Sequence, residues 1–216
     1  MNLEMNKKHH KLFTTLYLVF FGLTLLSLLF VEKGNMVILL NGYHNPFTDV
    51  LFKYVTFIGD GILFVPLIIG LLFIRYSYAL MGTIIAVAHG LLLSFLKKIV
   101  FNGSPRPTAF FEDTSMLHFI EGVKVHTSNS FPSGHTATAF AFCLFLTFLI
   151  NKKSWGIILF VLACLAGYSR IYLLQHFYID VIFGGLIGSL VTIIVWKIFA
   201  DKTSPAWLDK KLNFKQ

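Results

Sequence analysis

The feature that most limits this chain is the recurrence of apolar runs about twenty residues long, separated by short polar connections. A helix needs ~20 apolar residues to cross the ~30 Å hydrocarbon core of a bilayer. Six stretches are candidates, at 12–31, 51–74, 76–96, 133–150, 155–173 and 176–200. Hydrophobic residues make up 56% of the chain and charged ones only 13%. That is about half the charge of a soluble domain, and a soluble globule could not cover so much apolar surface. A disordered chain or a nucleic-acid-binding tail is excluded on the same ground. The expected fold is all-α: a polytopic membrane protein of six transmembrane helices, with 1–216 as a single membrane-embedded domain.

An even number of spans puts both termini on one side. Eleven of the 18 Lys and Arg residues fall there: Lys7, Lys8, Lys11, Arg75, Lys152, Lys153 and Lys197, with Lys202, Lys210, Lys211 and Lys215 in the tail. Of the acidic residues, Glu4, Asp201 and Asp209 share that side and the other seven lie opposite. The termini are therefore expected in the cytoplasm and the long connection 97–132 outside. The net charge of +8 then reflects basic ends facing anionic lipid, with no nucleic-acid partner. The tail 201–216 is expected as a basic surface segment. Lys7, Lys8 and Lys11 lead into an apolar stretch too long for a signal sequence, so the first run reads as an anchor. Cys143 and Cys164 sit inside apolar runs and read as packing residues. In the outer connection, Pro105 and Pro107 oppose a continuous helix, and 115–125 is expected to form a short interfacial helix.

Polar residues gather in three clusters: Lys97-Lys98 with Arg106-Pro107, then Ser130 through His135, then Ser169-Arg170 with His176 and Asp180. With six spans, all three fall at helix ends on the outer face. Together they describe a phosphate site. Pro132 suits a first helical turn, leaving the N–H groups of Ser133, Gly134 and His135 as an anion cradle at a helix N-terminus. Gly134 permits close backbone approach. Lys98, Arg106 and Arg170 supply cations. His176 and Asp180, four apart, share a helix face; a carboxylate on one imidazole nitrogen leaves the other as a nucleophile. His135 is placed to protonate a leaving oxygen.

The order and spacing of these residues resemble the signature of the type 2 phosphatidic acid phosphatase superfamily, Lys-x6-Arg-Pro, Pro-Ser-Gly-His and Ser-Arg-x5-His-x3-Asp. The second motif is met by Pro132, Ser133, Gly134 and His135, the third by Ser169, Arg170, His176 and Asp180. The first departs from the pattern: the lysine position would be Ile99, and Lys98, one residue earlier, is taken in its place, with Lys97 as the alternative. The family includes bacterial phosphatidylglycerophosphatases and undecaprenyl-diphosphate phosphatases, and soluble vanadium haloperoxidases share its site. The resemblance implies a metal-independent, cofactor-free lipid phosphatase of the cell membrane, active on the extracytoplasmic face. His176 would form a phosphohistidine, Asp180 would orient it, and His135 would act as acid and then base. Lys98, Arg106, Ser133, Gly134 and Arg170 would hold the phosphoryl oxygens. The expected partners are lipid substrates, with no obligate protein partner: phosphatidylglycerophosphate first, undecaprenyl diphosphate as the alternative. A carrier lacking hydrolysis would lack His135 or His176, and a haloperoxidase would not carry six spans.

The remaining polar residues have plainer expectations. His9 and His10 read as solvated or facing head groups, and His44, His118 and His126 as surface residues. His89, mid-span, should hydrogen-bond a neighbouring helix. Asp60, between two glycines, is expected to order loops or pair with a base, with contact to substrate as the alternative. Tyr172 and Tyr178 fit an interfacial aromatic belt.

Overall fold

The computed structural model describes residues 7–200 and 205–213, the side chains of Lys7 and Ala200 excepted. Glu4, Asp201, Lys202 and Lys215 lie outside the described residues. Within them the chain is helical and without strands: α1 (Lys7–Ser27), α2 (Asn35–Gly42), α3 (Pro46–Val55), α4 (Phe64–Leu72), α5 (Tyr76–Phe95), α6 (Pro107–Phe110), α7 (Gly134–Ile150), α8 (Lys153–Tyr172) and α9 (Tyr178–Ala200).

Among the described residues, four helices are long and apolar enough to cross a membrane: α1, α5 with its extension to Val100, α8 and α9. Bulky side chains such as Val19, Leu23, Leu91, Ile194 and Ile198 stay exposed on them, as lipid-facing surface requires. The second expected span is broken. Pro46–Gly59 and Gly61–Leu72 meet at 55°, because Asp60 leaves the helix and its carboxylate accepts the N–H of Ile62 at 3.1 Å. Counted as one, that pair makes a fifth span. The fourth candidate, α7, has 17 residues and reaches about 25 Å at a ~1.5 Å rise. It is the central helix, buried along most of its length, so its neighbours and not lipid determine its extent.

Helices α7 and α9 pack at backbone distance. A Cβ at Gly184 would lie 2.3 Å from the Ser133 carbonyl oxygen, and one at Gly188 2.0 Å from that of Ala137. One step on, the Thr192 hydroxyl donates to the Gly188 carbonyl of its own helix at 2.9 Å and lies 3.4 Å from the Ala141 carbonyl of α7. Positions 184, 188 and 192 form one stripe on the helix, and small residues there let two backbones meet. One step earlier on the same stripe is Asp180.

At the opposite end of α7, His9 and His10 dock onto its last turn. Their Nε2 atoms lie 3.2 and 3.3 Å from the carbonyl oxygens of Thr147 and Phe148. They are therefore not solvated tail residues: these rings approach carbonyls of the last turn, of which that of Thr147 also accepts the Asn151 N–H at 3.2 Å. His89 meets its expectation, reaching the Thr138 hydroxyl at 3.2 Å.

The outer segments differ from expectation. An unexpected helix, α2, carries the buried Asn41, whose amide brackets the backbone of His118: His118 N–H donates to Oδ1 at 2.8 Å and its carbonyl accepts from Nδ2 at 2.9 Å. That exchange uses groups a helix would need, and Gly122 turns at φ +74, so 115–125 forms turns and no helix. Tyr172 is fully buried, not at a lipid interface; its hydroxyl donates to Asp49. The other Asp49 oxygen lies 2.9 Å from His118 Nε2, and His118 stacks on His44 at 3.7 Å. His118 is thus part of an anchoring network. The described tail is likewise tied down: Arg75 pairs with Asp209, Tyr76 N–H donates to Lys210 at 2.9 Å, and Leu208 is buried.

Candidate active site

The C-terminal ends of α5 and α8 and the N-terminal ends of α7 and α9 converge at the end of the bundle opposite His9 and His10. A cavity of about 410 Å³ opens there, with Lys97, Arg106, Gly134, His135, Arg170 and His176 in its wall. Three motifs far apart in sequence thus meet in one cavity.

Each residue is placed by a local device. After α8 the chain doubles back through Leu174 at φ +57, and the N–H groups of Gln175 and His176 both donate to the Arg170 carbonyl, at 2.9 and 3.0 Å. This turn leaves His176 1% exposed, just before α9 and not on it. Asp180, in the first turn of α9, accepts at Oδ2 from the Phe177 N–H at 2.9 Å and from the Ser130 hydroxyl at 2.5 Å. The same oxygen lies 3.5 Å from His176 Nδ1, a nitrogen with no hydrogen-bond partner. His176 and Asp180 therefore face each other without sharing a helix.

At the start of α7, Ser133 is the N-cap, so Pro132 precedes the helix and does not occupy its first turn. The Ser133 N–H donates to the Asp180 carbonyl at 2.9 Å, and its hydroxyl is fully buried against Thr136 at 2.8 Å. The cradle that remains comes from Gly134 and His135, whose N–H groups no intrahelical carbonyl can serve. Gly59 packs directly on this turn: a Cβ there would lie 2.4 Å from the His135 carbonyl oxygen.

The lysine in the wall is Lys97. Lys98 is exposed and does not line the cavity. The physical reason is a π turn at Leu96–Val100, closed by the Phe101 N–H donating to Leu96 at 2.8 Å. The wider turn holds Lys97 inward, with Nζ donating to the Asn129 carbonyl at 3.3 Å. Arg106 is 8% exposed and held by the carbonyls of Ser128 and Gln175 and by the Gln175 side chain, all within 3.0 Å. Arg170 donates to the Thr56 hydroxyl at 2.6 Å, while its buried Nε has no partner.

Burial above all, and then the cations of Arg170, Arg106 and Lys97, hold the His176 imidazole well below its ordinary value. It is therefore neutral at physiological pH and keeps a lone pair. No carboxylate lines the cavity among the described residues, and no three His, Cys, Asp or Glu side chains among them converge as metal ligands.

Sequence reasoning missed several contributors. Ser130 and Gln175 carried a signal, as polar residues flanking the second motif and the nucleophile candidate. Thr56 and Gly59 carried none, since nothing local indicates that the break between α3 and α4 folds over His135. His126, expected at the surface, is exposed but lines the cavity. Asp60 lies outside the wall.

The model of the PAP2 superfamily matches residues 65–204. The lipid A 4'-phosphatase of Bacteroides thetaiotaomicron is 28% identical over 164 residues, 71% of each chain. Undecaprenyl-diphosphatase BcrC of Bacillus subtilis is 30% identical over 117 residues, 54% of this chain and 55% of its own. Among solved structures, Aquifex aeolicus LpxE superposes with a TM-score of 0.67 at 32% identity, covering 76% of this chain and 94% of that one.

Proposed function

The chain belongs to the PAP2 superfamily, and we propose that it hydrolyses the terminal phosphate of a membrane lipid through a phosphohistidine intermediate. The observation that carries this reading is the convergence of His135, His176, Lys97, Arg106 and Arg170 on one cavity. His176 attacks phosphorus through Nε2, since Nδ1 faces Asp180. The P–N bond forms as the P–O bond to the lipid breaks. His135 gives its proton to the departing alkoxide. Lys97, Arg106, Arg170 and the N–H groups of Gly134 and His135 hold the phosphoryl oxygens while charge spreads over them. His135, now neutral, takes a proton from water, which cleaves the P–N bond and releases phosphate. Asp180 stabilises the imidazolium character of His176 in both steps, and Ser133 acts through the backbone, tying α7 to α9.

The reaction needs no metal in this scheme. A wall of cations without a carboxylate repels a divalent ion. The site faces the extracytoplasmic side, opposite cytoplasmic termini, in keeping with the distribution of basic residues.

Phosphatidylglycerophosphate is the first substrate in this reading, yielding phosphatidylglycerol. The identity with an undecaprenyl-diphosphatase favours a second, undecaprenyl diphosphate. Purified protein in detergent, in excess EDTA, is assayed for phosphate release from each lipid beside His176→Ala. Release by the unaltered protein and none by the variant is expected. A requirement for Mg²⁺, or full activity in the variant, overturns the scheme.

A further inference from the structure

The cavity holds more positive charge than one phosphoryl group needs. Lys97, Arg106 and Arg170 form its floor; Lys53, Lys124 and His126 line it as well, and none of these belongs to the three motifs. Exposure grades them from floor to mouth: Arg106 and Arg170 are 8% and 7% exposed, Lys97 and Lys53 are half-buried, and Lys124 and His126 are exposed.

Three elements bring the mouth together. Lys53, in the last turn of α3, donates to the Glu121 carbonyl at 2.8 Å, so it is held by a backbone oxygen over the turn at Gly122. Asp49, one turn earlier, is committed to Tyr172 and His118. Lys124 is held through its backbone, whose carbonyl accepts from Gln175 Nε2 at 2.9 Å. Gln175 also binds Arg106, so one side chain joins floor to mouth. The His126 imidazole is held below its ordinary value by desolvation and then by Arg106, Lys124, Arg170 and Lys97. Cationic side chains therefore line one wall from the reacting centre outward. At about 410 Å³ the cavity is in the size range of whole small-molecule ligands.

We propose that Lys53 and Lys124, with His126 between floor and mouth, form a second anion subsite that takes a non-reacting phosphate of the substrate head group. The substrate is then a lipid with two phosphates, the terminal one cleaved on the floor and the inner one gripped at the mouth. This rests on the lipid phosphatase reading and narrows its substrate class. An adjacent diphosphate and two phosphates separated by a glycerol share this chemistry.

The test compares kcat/KM on three short-chain lipids: a phosphatidate with one phosphate, a phosphatidylglycerophosphate and a polyprenyl diphosphate. The variants are Lys53→Gln, Lys124→Gln and the double change, each first checked for a monodisperse fold in detergent. The double variant is expected to lose at least tenfold on one or both two-phosphate lipids and less than threefold on phosphatidate. Each single variant should show part of the loss, which keeps the test open if the double variant does not fold. Loss confined to the diphosphate, or to the glycerol-spaced lipid, identifies the spacing. Equal loss on all three lipids, or loss on none, overturns the subsite while leaving the phosphatase reading intact. Wild-type protein that cleaves none of the three overturns that reading itself.

Discussion

The backbone N–H of Ser133 donates to the backbone carbonyl of Asp180 at 2.9 Å, joining the anion cradle at the head of α7 to the carboxylate at the head of α9. The bond starts the stripe that continues through Gly184, Gly188 and Thr192. Site geometry and helix packing are therefore one feature, and a change deep in the bundle should be felt at the reacting centre.

Gly188→Ala is the direct test. Its Cβ would lie 2.0 Å from a backbone oxygen that cannot rotate away, so α7 and α9 must separate. Overpacking of this kind costs about 1–3 kcal/mol. Thermal unfolding in detergent should show a clear drop in Tm, with activity reduced below the transition. Gly90→Ala, with nothing within 4 Å of the added carbon, should be neutral; matching losses in the two would refute the packing argument.

The π turn gives a prediction on charge. Lys97→Ala removes a cation from the cavity wall and, in the proposed scheme, should lower kcat about 10²–10³-fold, the range for losing one oxyanion donor. Lys98→Ala should change kcat less than threefold. The reverse ranking would place the wrong lysine in the wall.

Ser130 is a positioning residue. Its hydroxyl and the Phe177 N–H occupy the Asp180 oxygen that faces His176. Loss of one hydrogen bond to a charged group is worth about 1.5–3 kcal/mol, or roughly 10–100-fold in rate. Ser130→Ala should lower kcat by that factor with KM unchanged, and Ser130→Thr should restore much of it. A change in KM alone would assign Ser130 a structural part only.

In the proposed scheme His135 serves both steps, so His135→Ala should slow turnover about 10²–10⁴-fold. If its larger effect is on hydrolysis of the intermediate, radiolabelled substrate will leave acid-labile, base-stable label on the protein. Added His176→Ala should abolish that label. Label that persists in the double variant would point to another nucleophile.

The pH profile follows from His176. Burial and the surrounding cations lower its folded value well below the ordinary one. Protonation removes the attacking lone pair, so rate is lost only as pH falls through that lowered value. After correction for substrate ionisation, whose second pKa is about 6, the acidic limb of kcat/KM should lie below pH 6.5. A limb at or above 6.5 would mean the imidazole does not sit in this field.

Much of the molecule was legible from one-dimensional patterns. Apolar run lengths gave helices at all six candidate positions, because the cost of unpaired backbone in lipid leaves few alternatives. Motif spacing identified His135, Arg106, Arg170 and His176, all of which line the cavity, and a local turn back to Arg170 places His176. The departures have physical causes of another range. Lys97 replaces Lys98 because a π turn rotates the end of α5. Ser133 is hidden because its groups are used by Thr136 and Asp180. The segment 115–125 stays non-helical because Asn41, far away in sequence, takes its backbone groups. His9 and His10 dock on α7 because the carbonyls at its end lie beside α1.

What the sequence determined by itself was membrane class, helical content and the chemical identity of most of the polar groups that line the cavity, since these depend on composition and short-range spacing. What only the tertiary structure decided was which groups face the cavity and which support them from behind. Thr56 on Arg170, Gln175 between Arg106 and Lys124, and Lys53 and Lys124 at the mouth all arise from contacts between residues distant along the chain. Such contacts exist only once α7, α8 and α9 have packed and the break between α3 and α4 has folded over His135.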